Sequence, residues 1–260
     1  MAKEQVTERV GLLDGDIIAY KAACINALGD MEDLELLCNA IVEEWMGRAQ
    51  CQRRVLCLSK PSFRYEIFPE YKAHRKDVPK PDQHKEAIHF LRQQNTVVEC
   101  DRMEADDVMG VLATNGKFDD PVIITIDKDL RCIPGWHCNP DKDQFPIHLD
   151  ADEALINFCM QWMCGDSSDG YKGIPKCGPV KASKILAGDP TDPVRATLHA
   201  FYDAGFTYAD ALVQARLARI LTSDLFDAAT KAPRFWEPDQ IPDDLTLWAT
   251  GQTPTKLQLV

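Results

Sequence analysis

Apolar residues fall along this chain in two rhythms: short unbroken runs, and stretches in which they recur every three or four positions. Arg9 to Leu13 (RVGLL) is such a run. It ends in Asp14-Gly-Asp16 and predicts a buried strand followed by a helix from near Ile17. Leu34 to Met46 carries helical spacing, and Val55 to Leu58 predicts a second strand ending in Ser59-Lys60-Pro61. An apolar stretch at Thr96 to Val98 gives way to a helical pattern at Val108, Met109, Val111 and Leu112, with Glu104, Asp106 and Asp107 at the junction. Pro121 to Ile126 is the clearest buried strand and ends in Asp127-Lys128-Asp129, with a further short strand at Trp136 to Cys138. Asp150 to Met163 predicts a helix capped by Asp150 or Asp152, another helix opens at Pro179, and Ala209 to Leu221 is a third. Pro233 to Val260 reads as tail or edge structure.

Strands separated by helices predict an α/β fold with a mostly parallel central sheet flanked by helices. In such sheets the ligand crevice lies at the carboxyl ends of the strands. That logic gathers Asp14, Asp16, Glu104, Asp106, Asp107, Asp127 and Asp129 at one edge, with Asp166 and Asp169 joining from the turn after the Asp150 helix. Glu104 and Asp107 share a helix face, and the positive end of the helix dipole offsets part of their charge. Packed together and left bare, these acids would repel and raise one another's pKa values. Hard divalent cations relieve that. Ligands made only of oxygen, with no His or Cys in the clusters, select Mg²⁺ or Mn²⁺ over zinc. Two such ions ~4 Å apart serve in-line displacement at phosphorus.

Composition changes this picture in three places. The hydrophobic fraction of 45% and charged fraction of 27% predict a globular chain, and no apolar run approaches a membrane-spanning helix. The first residues, MAKEQVTERV, lack the apolar core of a signal peptide, and ten cysteines without a C-x-x-C fit reduced thiols in a cytoplasm. The net charge of −12 argues against nucleic-acid binding only if positive charge is spread evenly, and it is not. Lys60 to Arg92 holds eight cations against five carboxylates, interleaved with Phe63, Tyr65, Phe68 and Tyr71. That mixture suits stacking on bases while gripping phosphates, with Arg64 and Lys76 among the candidate contacts. Gly170 to Leu186 carries Lys172, Lys176, Lys181 and Lys184 with no acid between them, and Gly173 and Gly178 bracket a tight turn before the Pro179 helix. Amides at a helix start flanked by lysines form a phosphate platform that grips a backbone without reading sequence.

The ordered series LLDGD (Leu12–Asp16), EYKAHRK (Glu70–Lys76), MEADDVMG (Met103–Gly110), ITIDKD (Ile124–Asp129) and GDSSDGYKGIPKCGPVKASKIL (Gly165–Leu186) resembles the 5′-nuclease, flap endonuclease-like superfamily. QARLARIL (Gln214–Leu221) is similar to the 5′→3′ exonucleases of short-tailed bacteriophages. The resemblance implies a PIN-like nuclease core over 1–164, with a helical arch or loop at about 60–92. A helix–hairpin–helix DNA-binding region with a helical tail would follow over 165–260. It also implies metal ligands at Asp14, Glu104, Asp106, Asp127 and Asp129, with Asp107, Asp166 and Asp169 beside them. Tyr71, Lys72 and Arg75 correspond to arch residues, the lysine steadying charge on the scissile phosphate and the aromatic ring stacking on the terminal base. A K⁺ ion at the hairpin is implied in the same way. An aspartate frequent in relatives at the end of the second strand is absent near Ser59-Lys60.

The expected activity is Mg²⁺-dependent 5′→3′ hydrolysis of duplex DNA at ends, nicks or flaps. It extends to RNA–DNA hybrids and to a setting among replication proteins in a bacterial cytoplasm. Two other classes fit parts of the sequence. Asp14-Gly-Asp16 with Gly165-Asp-Ser-Ser-Asp169 resembles haloacid-dehalogenase-type phosphatases, with Asp14 as nucleophile. A DNA-junction binding protein lacking one metal site is the non-catalytic alternative. His74 reads as a solvated histidine of the basic loop.

Overall fold

Val10–Asp14 is buried at every position and forms strand β1. Its last residue, Asp14, then caps helix α1, Gly15–Ile25, by accepting the Ile17 N–H. The computed structural model describes residues 8–252. After α1 come α2 (Met31–Arg48), β2 (Arg53–Cys57), α3 (Arg64–Ile67), α4 (His84–Gln94), β3 (Val97–Val98) and α5 (Ala105–Thr114). Then follow β4 (Val122–Ile124), β5 (Gly135–Cys138), β6 (Ile147–Leu149), α6 (Ala151–Cys164), α7 (Pro179–Gly188), α8 (Pro193–Asp203) and α9 (Tyr208–Ala218). A short hairpin, β7 (Phe226–Asp227) and β8 (Ala232–Pro233), precedes α10 (Thr246–Ala249). No helix among the described residues is long and apolar enough to cross a membrane.

The chain divides into two compact units. The first comprises the chain up to Phe63, Lys76–Ala154 and Ile220–Arg234; the second comprises Arg64–Arg75, Leu155–Arg219 and the chain from Phe235.

The first unit is built on a six-stranded sheet of order β3-β2-β1-β4-β5-β6, parallel except for β6, which runs antiparallel to β5. Successive strands leave β1 in opposite directions, so the switch point of the sheet lies between β1 and β4, where crevices form in open α/β sheets. Leu13, Leu56, Val122 and Ile124 join Ile18, Trp45 and Leu91 of α1, α2 and α4 in one apolar cluster. Strand side chains alternate between faces, so α5, which packs on β1, β2 and β4 outside that cluster, covers the other face.

Gly110 of α5 sets how closely that helix approaches its neighbours. A Cβ there would stand 2.2 Å from the Leu221 carbonyl oxygen and 3.1 Å from the Ile133 side chain. Gly110→Ala is expected to lower stability by about 3 kcal/mol, read from a shifted urea midpoint at unchanged slope.

The second unit is helical. Phe158 and Trp162 of α6 and Phe201 of α8 stack in a row, with Trp236 edge-on to Phe158 and Trp162. The Trp162 indole donates to the Ala211 carbonyl at 2.9 Å, and Trp248 of α10 donates to Phe206 O at 2.8 Å. Trp236, Leu245 and Trp248 therefore anchor the otherwise largely exposed segment from Phe235.

Two elements go beyond the sequence pattern. β6 is three residues long, too short to show periodicity. α8 carries Asp192 as a cap and Pro193 at its first position, signals that the sequence does contain. The 60–92 segment resolves into the four-residue α3, a 3₁₀ turn at Ala73–Asp77 and α4.

Candidate functional site

The β1–β4 switch point fixes the acids of the first unit. Asp14 ends β1 and is only 2% exposed. One oxygen accepts the Ile17 N–H at 3.2 Å and the other the Thr125 hydroxyl at 2.9 Å. Burial, then the Asp16 charge and that of Asp127, push its pKa up to about 7 against the hydrogen bonds from Ile17 and Thr125. Asp127 follows β4 and caps the next turn by accepting the Asp129 N–H at 2.9 Å, while Lys128 donates to Asp129 at 2.8 Å. Glu104 is the N-cap of α5. The Cys57 thiol, at the end of β2, is raised well above its usual range by burial and by the charges of Asp14, Asp106 and Asp16. Asp14, Asp16, Asp106 and Asp127 thus share one electrostatic neighbourhood.

Among the described residues, no group of three or more His, Cys, Asp or Glu side chains is arranged to hold a metal ion. Several carboxylates are instead turned into amide and hydroxyl hydrogen bonds. Asp107 is the clearest case. It is fully buried, with one oxygen accepting Glu104 N–H at 3.2 Å and the other Leu221 N–H at 3.1 Å. These bonds make it a cap that joins α5 to the returning chain. The donor chemistry still suits a hard cation. A buried Asp14 carboxylate repelled by the half-buried Asp16 and Asp127, with only oxygen donors among the neighbouring acids, is relieved by Mg²⁺ or Mn²⁺.

In the second unit, the loop between α6 and α7 is closed by two glycines facing each other. Gly165 and Gly173 take φ of +68° and +58°, and a Cβ on Gly173 would lie 2.4 Å from both Gly165 N and Met163 O. The Gly173 N–H donates to Gln214 at 2.9 Å, so this residue holds the loop together and its amide is not directed to a phosphate. Gly178, N-cap of α7, is different. It is exposed with ordinary φ, and a Cβ there would meet nothing within 4 Å. Lys172, Lys176, Lys181 and Lys184 are all exposed around it.

Asp166 accepts from Ser168 and the Asp169 N–H within the same loop. Asp169 accepts from the Tyr71 hydroxyl at 2.9 Å and from Arg75 at 3.0 Å, with Lys72 Nζ at 3.5 Å. Tyr71 is only 1% exposed, which corrects its expected role in stacking on a terminal base. Arg64 is corrected too. It is 3% exposed, and its guanidinium donates to the Leu217 and Arg219 carbonyls at 3.0 and 2.8 Å, so it closes a helix end and is not a DNA contact. Arg64→Ala is expected to lower stability by about 3 kcal/mol in chemical denaturation, the carbonyls losing a charged donor. The Lys76 side chain lies outside the described residues.

Thr125 escaped sequence reasoning, and Ser59 was legible there only as a strand-end serine suited to the phosphatase alternative. Both are uncharged, and only their hydrogen bonds to the acid-bearing segments mark them.

Residues 10–136 match the family model of the 5′-3′ exonuclease N-terminal, resolvase-like domain. The exonuclease of Escherichia phage T7 is 29% identical over 210 residues, spanning 66% of this chain and 69% of that protein. The exodeoxyribonuclease of Enterobacteria phage T3 is 28% identical over 212 residues, spanning 66% and 68%. Among solved structures, the phage T5 5′-exonuclease with bound zinc superposes with a TM-score of 0.60 at 14% identity, covering 81% of this chain and 93% of that one, which shows a shared fold. The ordered acids, the parallel sheet and these relatives agree: residues 10–136 match the 5′-3′ exonuclease N-terminal, resolvase-like domain, and the chain is similar to phage exonucleases across 66% of its length.

Proposed function

We propose that this protein is a 5′→3′ exodeoxyribonuclease that removes nucleotides from the 5′ ends of duplex DNA. It requires two Mg²⁺ ions, for which Mn²⁺ substitutes, and extends its activity to flaps, nicks and RNA–DNA hybrids. The observation that carries this reading is Asp14. A fully buried carboxylate at the switch point, close to Asp16 and Asp127, has its pKa driven to about 7, and a divalent cation relieves that strain. Asp14, Glu104, Asp106, Asp127 and Asp129 would hold the metal, which when bound supplies Lewis acidity and charge neutralisation at phosphorus.

The chain's own groups do the rest. Lys172, Lys176, Lys181 and Lys184, with the open approach at Gly178, grip the phosphate backbone, and a K⁺ ion at the same loop would add to that grip. Lys72 and Arg75 stabilise phosphate charge, with Asp169 their counter-ion between turnovers. The division of labour assigns metal chemistry to the sheet unit and backbone binding to the α6–α7 loop, in a setting with replication proteins.

The test is a panel of 5′-labelled blunt, nicked and flapped duplexes, with EDTA or with Mg²⁺. Metal-dependent release of 5′ nucleotides is expected. Binding of all three substrates without cleavage would instead favour the non-catalytic reading. An aspartyl-phosphate on Asp14 would favour a phosphatase, against which the family match stands.

A further inference from the structure

We infer that Ser59 and Thr125 are positioning residues that hold the three acid-bearing segments of the first unit in register. Resting on the metal-dependent reading above, the inference assigns neither residue to the ion itself. Parallel pairing between β1 and β4 ends at Leu13 opposite Ile124, one step short of the acids. Beyond it, the buried Thr125 hydroxyl spans the gap. It donates to Asp14 Oδ2 at 2.9 Å and accepts the Asp127 N–H at 3.1 Å. One hydroxyl thereby sets the carboxylate at the end of β1 against the backbone that carries the next acid.

Ser59 makes the matching link on the other side of β1. Its N–H donates to Asp16 Oδ2 at 3.0 Å, and its hydroxyl accepts the Ala105 N–H at 2.9 Å. Ala105 is the first residue of α5, so this bond satisfies one of the amides a helix start leaves open. It also anchors the turn bearing Glu104 and Asp106 to the loop after β2. Asp16 accordingly acts through Ser59. A hydroxyl serves both positions without adding charge to an already crowded set of carboxylates: at Thr125 it donates and accepts with one atom, and at Ser59 it accepts while the backbone N–H donates to Asp16.

The test compares Thr125→Val, Thr125→Ser and Ser59→Ala with wild type in the full-length protein. Mn²⁺ binding is followed by the electron paramagnetic resonance signal of free Mn²⁺ without DNA, and cleavage is followed as a function of Mg²⁺ and of DNA. Groups that orient metal ligands are worth about 10–100-fold in affinity, so Thr125→Val and Ser59→Ala should weaken Mn²⁺ binding about tenfold. The Mg²⁺ needed for half-maximal cleavage should rise in parallel, with KM for DNA unchanged and Thr125→Ser close to wild type. If Thr125→Val binds Mn²⁺ like wild type, or Thr125→Ser loses as much as Thr125→Val, the inference is overturned. A melting curve for each variant separates lost binding from lost folding, and Thr125→Ser keeps the test decisive if the valine variant unfolds. Wild-type protein that neither binds Mn²⁺ nor cleaves DNA would overturn the functional reading itself.

Discussion

Asp14→Asn is expected to reduce metal-dependent release of 5′ nucleotides about a thousandfold while leaving the protein folded. The magnitude follows from the several kcal/mol that a bound divalent ion contributes at phosphorus, about 4 kcal/mol for three decades of rate. Asparagine keeps the size of the side chain and an oxygen for the Ile17 amide, so the α1 cap survives. What it removes is the negative charge at the switch point and the second oxygen that accepts from Thr125. Single-turnover cleavage measured across Mg²⁺ concentrations checks this. A variant retaining more than a tenth of wild-type rate at saturating Mg²⁺ would remove Asp14 from the metal site.

The same substitution is expected to stabilise the metal-free protein, increasingly so as pH rises. Asp14 titrates at 3.8 when unperturbed and at about 7 in the folded chain, so the native state binds the proton more tightly. For a carboxylate displaced in this direction, the favourable contribution is complete below the unfolded value. It is lost as pH climbs from about 4 through about 7. That displacement corresponds to about 4 kcal/mol for this wholly buried group, an upper figure. In EDTA, the stability difference between Asp14→Asn and wild type should be near zero at the acid end and grow to several kcal/mol above neutrality. Adding Mg²⁺ at neutral pH should raise the melting temperature of wild type and leave the variant unmoved, because an ion bound only by the folded state stabilises it by mass action. Urea titrations at a series of pH values read both effects. Equal slopes against pH for the two proteins would show that Asp14 carries no such strain.

The strands that build the sheet and the acids at their ends were legible because both are local signals. Arg9–Leu13 and Pro121–Ile126 are unbroken apolar runs, and Asp14 and Asp127 follow them directly. What escaped depends on partners far away in sequence. Arg64 reads as one more cation in a basic stretch until Leu217 and Arg219 supply its acceptors, more than 150 positions later. Tyr71 carries an aromatic ring in a stretch of loop-like composition, yet packing buries it and Asp169 takes its hydroxyl. Asp107 sits among acids that look alike in sequence, and only the Leu221 amide, 114 residues on, marks it as a cap. Thr125 lies inside an apolar run and Ser59 ends another, and neither carries a charge that marks its link to the acids.

The return of residues 220–234 to the sheet unit has a practical corollary for dissecting this enzyme. A fragment ending at residue 164 contains every strand of the sheet, yet strips Asp107 of the Leu221 amide and exposes the face of Gly110 that the same residue covers. Limited proteolysis in the α6–α9 region should therefore yield a nicked species whose two ends stay associated. An autonomous N-terminal piece should express only when the later strip is stitched back onto it.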